Sequence, residues 1–172
     1  MPKAMPVKGK KNPSSALTRA LRFEKHGKRF FTAAAAKAAD PYAKQMFELL
    51  AILEDKHIQD IMAISRKIEE NNGKFPAVSA TPHESRMRMF KRETARIRKE
   101  TVVSWDAASA MRRALGFEAE GREMYKRMAE TASHPQERKF FKLLSAEEQS
   151  HFDIIYEYLD SFENVGLRMR ED

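Results

Sequence analysis

The chain has no cysteine among its 172 residues. That absence excludes a disulfide framework, thiolate zinc sites and any iron–sulfur or thiolate-ligated iron centre. Long apolar runs are missing as well, and no stretch approaches the roughly 20 residues that cross a bilayer. Glycine is scarce, with six, and tryptophan occurs once. Most of the seven prolines fall in the termini or between periodic segments. No stretch shows the apolar–polar alternation of a half-buried strand. The opening "MPKAMPVKGKKNPSSA" is basic but is not followed by an apolar core, so it does not read as a secretory signal, and a cytoplasmic location is expected.

Apolar residues at helical spacing run through nearly the whole sequence, and the length suits one domain of about 100–200 residues. A first helix is expected from Ser14 to Ala39. Asp40 and Pro41 then supply a cap and a first helical residue for a second helix reaching Glu70. "NNGKFP" ends it, with Asn and Gly as stop signals and a proline beyond. Thr81, Pro82 and Glu84 look like a capped helix start inside a long connection. Ser104 opens a third long helix to about Ala132, and Ser133 and Pro135 open a fourth to about Phe162. The expected organisation is a basic tail at 1–13, a domain at 14–162 and a C-terminal tail at 163–172. Within the domain a hairpin at 14–70 and a hairpin at 104–162 flank a connection at 71–103. The fold class is all-α, a four-helix bundle with one long crossover.

The formal net charge is +7. Lys3, Lys8, Lys10 and Lys11 lie in the tail. A second cluster comprises Arg86, Arg88, Lys91, Arg92, Arg96, Arg98 and Lys99. Such clusters suit DNA, and a DNA-binding or scaffolding protein with a secondary metal site is the alternative of another class. Glu84, Glu93 and Glu100 interrupt the second cluster and the tail has no interleaved aromatics, which favours solvated surfaces instead.

The chain matches itself. Shifted by 94 residues, 15–61 align on 109–155 without a gap. Ser15, Ala16, Arg19, Ala20, Leu21, Phe23, Glu24 and Gly27 fall on Ser109, Ala110, Arg113, Ala114, Leu115, Phe117, Glu118 and Gly121. Pro41, Phe47, Leu49, Leu50, Glu54 and His57 fall on Pro135, Phe141, Leu143, Leu144, Glu148 and His151. One helical hairpin is used twice.

Each copy carries a Glu on its first helix and a Glu-x-x-His pair on its second, all at core-facing offsets: Glu24, Glu54 and His57, then Glu118, Glu148 and His151. One Glu-x-x-His in a helical chain means little, but two at the same repeat phase mean much more. Four buried unpaired carboxylates would each cost several kcal/mol or would have to take up protons. Two divalent cations balance their four charges, and this is the ligand set of bundles that hold a metal pair. Oxygen and imidazole ligands without thiolate suit iron or manganese, and zinc also binds them.

"ALRFEKHGKRFF" and "ALGFEAEGREMY", each followed by "DP" or "HP" and then F-x-L-L-x-x-x-E-x-x-H, resemble the rubrerythrin-like branch of the ferritin-like superfamily. The resemblance covers both hairpins. It implies two iron ions that react with hydrogen peroxide or dioxygen, an external electron donor of rubredoxin-like or other kind, and a homodimer. The same resemblance admits iron oxidation and storage as an alternative. Rubrerythrins carry a cysteine-ligated relay domain, which a chain without cysteine lacks. The additional glutamate of that branch has no counterpart, because position 121, three after Glu118, is glycine.

Gly27 and Gly121, one turn after a candidate ligand, leave room for a metal, a peroxide or a closely packed neighbour. Tyr125, two turns after Glu118, is placed to hydrogen-bond a ligand across the centre or to carry an electron, or else is a plain core tyrosine; its repeat counterpart is Phe31. His26, His83 and His134 lack partners at ligand spacing and read as surface or turn residues.

Overall fold

Leu17, Ala20, Glu24, Gly27, Phe31 and Ala35 recur every three or four residues, and they are the buried stripe of the first helix, α1 (Ser15–Lys37). Three further helices follow: α2 (Pro41–Glu70), α3 (Trp105–Thr131) and α4 (Pro135–Arg168). The computed structural model describes residues 15–78 and 105–168, and no strand occurs among them. The basic tail, the cluster from Arg86 to Lys99, the Thr81–Glu84 signal, Ser104 and His83 lie outside the described residues. The chain is all-α, with α1 packed along α2 and α3 along α4, and α1 also meeting α3.

The helix ends show which local signals act. Asp40 accepts a hydrogen bond from the Ala43 backbone N–H at 2.8 Å, with Pro41 in the first turn. At the matching repeat position the cap is His134, not Ser133: its carbonyl accepts from Arg138 N at 3.0 Å and its Nδ1 from Gln136 N at 3.2 Å. The imidazole supplies the acceptor that a serine hydroxyl would have given one position too early. Asn72 and Gly73 adopt positive φ, and Gly73 N–H closes the end of α2 on the Ile68 carbonyl at 2.8 Å. The fourth helix runs on to Arg168, past the expected end at Phe162. Gly166 does not stop it, since a helical glycine costs only about 1 kcal/mol and no proline follows.

Two apolar clusters fill the bundle. One joins Phe31, Phe47, Leu50 and Leu53 to Met111, Ile154, Ile155 and Tyr158, and the other joins Leu17, Ala20 and Ile61 to Tyr125, Met128, Phe140, Phe141 and Leu144. On every helix the Glu-bearing turn falls between residues of one cluster and residues of the other. The repeat also shows on the surface: Lys28 pairs with Asp55 at 2.6 Å in the first hairpin, and at the same positions Arg122 donates to Gln149 at 2.6 Å in the second. Exposed links of this sort contribute about 0–1 kcal/mol.

α1 and α3 cross through a reciprocal pair of contacts. The Phe23 and Phe117 rings stack with centroids 4.6 Å apart and planes 13° from parallel. Each ring lies over the glycine of the opposite helix. A Cβ on Gly27 would fall 2.6 Å from Phe117 and 2.9 Å from the Glu54 carboxyl carbon, and one on Gly121 would fall 2.8 Å from Phe23 and 3.1 Å from Glu148 Oε2. Of the alternatives weighed for these glycines, close packing is the one observed, and the packed neighbours include two carboxylates. Gly116, in contrast, is exposed and has nothing within 4 Å of such a Cβ.

Two alanine substitutions should therefore act in opposite directions. Gly27→Ala should destabilise by about 1–3 kcal/mol through overpacking, whereas Gly116→Ala should stabilise by up to about 1 kcal/mol through helix propensity. Urea unfolding of the two variants in chelator measures both. Equal and favourable effects would show that Phe117 and Glu54 move aside freely.

Candidate metal centre

The bundle brings all six sequence-derived candidates to its middle. Glu24, Glu54, Glu118 and Glu148 are fully buried, and His57 and His151 are 2% and 1% exposed. One ligand atom from each of Glu54, Glu118, Glu148 and His151 lies within 4.8 Å of the others, and Glu24, His57 and Glu148 form a second such group. Glu148 belongs to both. Each histidine aims Nδ1 inward: His57 Nδ1 is 3.2 Å from Glu24 Oε2 and 3.3 Å from Glu148 Oε1, and His151 Nδ1 is 3.4 Å from Glu118 Oε2. The imidazoles stack at 5.4 Å between centroids, so α2 and α4 meet at the centre through their histidines. His26 and His134 take no part. Both are exposed, one at the edge of Phe117 and the other stacked on Phe75.

Tyr125 is fully buried, and its hydroxyl donates to Glu24 Oε1 across the hairpins. Glu147 was not singled out from the sequence. It is buried, and its Oε2 lies 2.8 Å from His57 Nε2, on the side of the ring away from the centre. A signal for it exists: Phe140, Leu144, His151 and Ile154 stand at helical offsets from position 147, and all are buried. An acid in that register has to find a partner.

The residues present suit a cation pair. All six carboxylate oxygens of Glu54, Glu118 and Glu148 are buried without a hydrogen-bond partner. Native interiors satisfy the great majority of such atoms, so six together, faced by two imidazole nitrogens, form a donor set that lacks its acceptor of electron pairs. Hard divalent cations that take oxygen and imidazole fit it.

The family model described as Rubrerythrin matches residues 110–171. Over that second hairpin the chain is similar to rubrerythrins. The match takes in α3 from its second turn and all of α4, with Glu118, Glu148 and His151, and the repeat extends the same pattern to α1 and α2. No curated protein and no solved structure matched the chain.

Protons set the electrostatics of this centre when cations are withheld. Burial lifts the Glu54 and Glu118 carboxyls well above the ordinary carboxylate range, and the charges of Glu24 and Glu148 respectively lift them further. Glu148 is raised too, by burial and then by Glu24. Burial opposes charge on Glu24 as well, but the charge of His57, the neighbouring Glu54 carboxyl and the hydrogen bond from Tyr125 outweigh it and hold Glu24 low. Burial likewise opposes charge on His57, yet Glu24, Glu147 and Glu148 hold its proton well above the usual imidazole range. Tyr125 stays protonated, through burial and then the nearby carboxylates, and so remains a donor.

The signs fix a pH dependence. Three carboxyls with raised folded values contribute stability below about 4.3, the ordinary glutamate value, that is lost as pH rises through those folded values. His57, also raised, contributes fully below about 6.5 and loses that contribution as pH rises through its own folded value. Glu24 runs the other way, but only at pH below the ordinary carboxylate range. The chelated protein should therefore lose thermal stability as pH rises from the ordinary carboxylate range through neutrality. The metal-loaded protein should gain over the same interval, because cations bind the deprotonated ligands. Thermal unfolding across that interval, with chelator and with ferrous iron under anaerobic conditions, checks both. A chelated curve that rises with pH would contradict this account of the centre.

Proposed function

We propose that the chain is a di-iron carboxylate oxidoreductase of the cytoplasm that reduces hydrogen peroxide or dioxygen at a paired metal centre. One observation carries this reading: six buried carboxylate oxygens without partners, faced by two inward Nδ1 atoms. Glu24 and His57 would hold one iron and Glu118 and His151 the other, with Glu148 in reach of both and Glu54 grouped with Glu118 and His151. Manganese or zinc in one or both positions would meet the same ligands.

When bound, a ferrous pair supplies two electrons at one place, and peroxide reduction to two waters consumes two electrons and two protons. The chain's own residues prepare that place. The Tyr125 hydroxyl holds Glu24 in position and keeps its proton there. The Phe23–Phe117 stack covers the α1–α3 side next to Glu54 and Glu148, whose carboxylates are fully buried away from bulk water. The absence of cysteine leaves no thiolate relay within the chain. Electrons for turnover would come from a separate donor protein, rubredoxin-like or other, or from ferrous iron itself, which is the ferroxidase and storage reading.

Anaerobic loading with ferrous iron should give close to two irons per chain. Hydrogen peroxide and dioxygen, added separately, should differ in how fast they oxidise the pair, and the faster one identifies the oxidant. Re-reduction by an external donor over many cycles supports catalysis, while a mineral product supports storage. Folded protein that holds no iron after loading would sink both.

A further inference from the structure

A surface feature that the hairpin fold requires should recur in both copies of the repeat. The outer face of α1 does not recur. Arg19, Arg22, Lys25, Lys28, Arg29 and Lys37 are all exposed, and the one acid of that helix, Glu24, is buried at the centre. The matching positions of α3 hold Arg113, Gly116, Ala119, Arg122, Glu123 and Thr131, so two cations are kept, three are lost and one is reversed. Like charges three and four apart, as in Arg22, Lys25 and Arg29, work against a helix, and the other copy folds without them. Arg19, Arg22, His26 and Arg29 step by three and four along one side of α1, and the His26 ring stands edge-on to Phe117 at 5.7 Å between centroids. That stripe therefore borders the α1–α3 seam. The seam carries Phe23, Phe117 and Phe30, stacked in that order at 4.6 Å and 5.8 Å and each partly exposed. The buried centre lies directly beneath. Phe23 precedes Glu24 in the chain, and its ring meets Tyr125 edge-on at 6.3 Å. A Cβ on Gly27 would clash with both Phe117 and Glu54, so the gap between that ring and that carboxylate is too narrow for a methyl group.

We propose that the basic face of α1, together with the partly exposed Phe23–Phe117 stack beside it, docks an acidic one-electron carrier protein and is where electrons enter the centre. Redox partners meet over small patches, apolar in the middle and polar at the rim, and charge of opposite sign speeds their encounter. Here the rings form the apolar middle and Arg19, Arg22 and Arg29 the charged rim. A cavity of about 520 Å³ opens further along the same seam, where Lys37 of α1 and Arg113 of α3 stand with Ala34, Ala110 and Phe47, and it offers an acidic side chain of the partner a second hold. Each encounter passes one electron: the carrier is oxidised by one electron and one ferric ion becomes ferrous. Two encounters restore the ferrous pair that one peroxide consumes. A nucleic-acid backbone would meet the charges alone, and the ring stack over the centre would serve nothing in it.

Because this docking face rests on the metal-pair reading above, iron and binding are measured separately. The full chain is loaded with iron and analysed for it. It is then titrated with fluorescently labelled rubredoxin, with flavodoxin, both acidic one-electron carriers, and with a short DNA duplex. At least one carrier should bind at low ionic strength and be released as salt is raised. Arg22→Glu combined with Arg29→Glu should weaken that binding by about 10-fold or more, chiefly through the association rate. The same pair should slow reduction of the ferric protein by the reduced carrier to a similar degree, and should leave iron content and oxidation by peroxide unchanged. Lys126→Glu combined with Lys142→Glu makes the same charge change at exposed residues of α3 and α4, and should cost far less. Thermal unfolding shows that both variants are folded, and all four substituted positions are exposed. Binding of neither carrier at low salt would overturn the docking face, and so would equal weakening by the two double variants. Tighter binding of the duplex, lost in Arg22→Glu with Arg29→Glu, would assign the face to nucleic acid and overturn it as well. A chain without iron that still loses carrier binding in that variant would sink the metal-pair reading and keep the docking face.

Discussion

Four carboxylates buried within reach of one another are the constraint on which the rest of this bundle depends. Glu24, Glu54, Glu118 and Glu148 are fully enclosed by apolar side chains. Ionised together they would repel and would lack the solvation they lose on burial. Something positive has to join them. Without cations, protons do so, held on Glu54, Glu118, Glu148 and His57 above their usual ranges. Cations held by the same groups would take the place of those protons. The core on either side of the centre, including Phe31, Phe47, Phe141 and Leu144, supplies the burial that keeps this exchange strict.

The architecture meets that constraint by using one hairpin twice. A Glu-x-x-His pair on one helix cannot surround a cation, and neither can a hairpin with three donors. Two hairpins packed face to face bring six donors together. The crossing is set by the Phe23–Phe117 stack and by two glycines, each lying against the aromatic ring of the opposite helix and a carboxylate of its own hairpin's second helix. Helix packing and site geometry are thus one arrangement. A methyl group added at position 27 disturbs both at once, because its nearest neighbours are Phe117 and Glu54.

The two copies are not identical around the centre. Duplication supplies the shared scaffold and the donors. The departures Phe31 against Tyr125 and Leu53 against Glu147 place a hydroxyl and a carboxylate on one half of the centre.

Much of this was legible in the sequence, for local reasons. Helix starts at Asp40–Pro41, the stop at Asn72–Gly73 and the core-facing stripes follow from capping chemistry, backbone freedom and a period of 3.6, which act within a few residues. The repeat revealed the six donors because a shift of 94 residues is visible without any coordinates. Tyr125 was visible as a residue facing the centre, but its partner was not. The cap at His134 and the run of α4 to Arg168 were missed by short distances, where an unusual acceptor and a tolerated glycine outweighed the usual signals. Only the tertiary structure showed that Glu147 backs His57 and that Tyr125 reaches Glu24, 101 positions away in the chain. Both contacts join one hairpin to the other. Periodicity says which way a side chain faces on its own helix, but the partner it meets depends on how two helices cross, and that is decided by packing across the whole core.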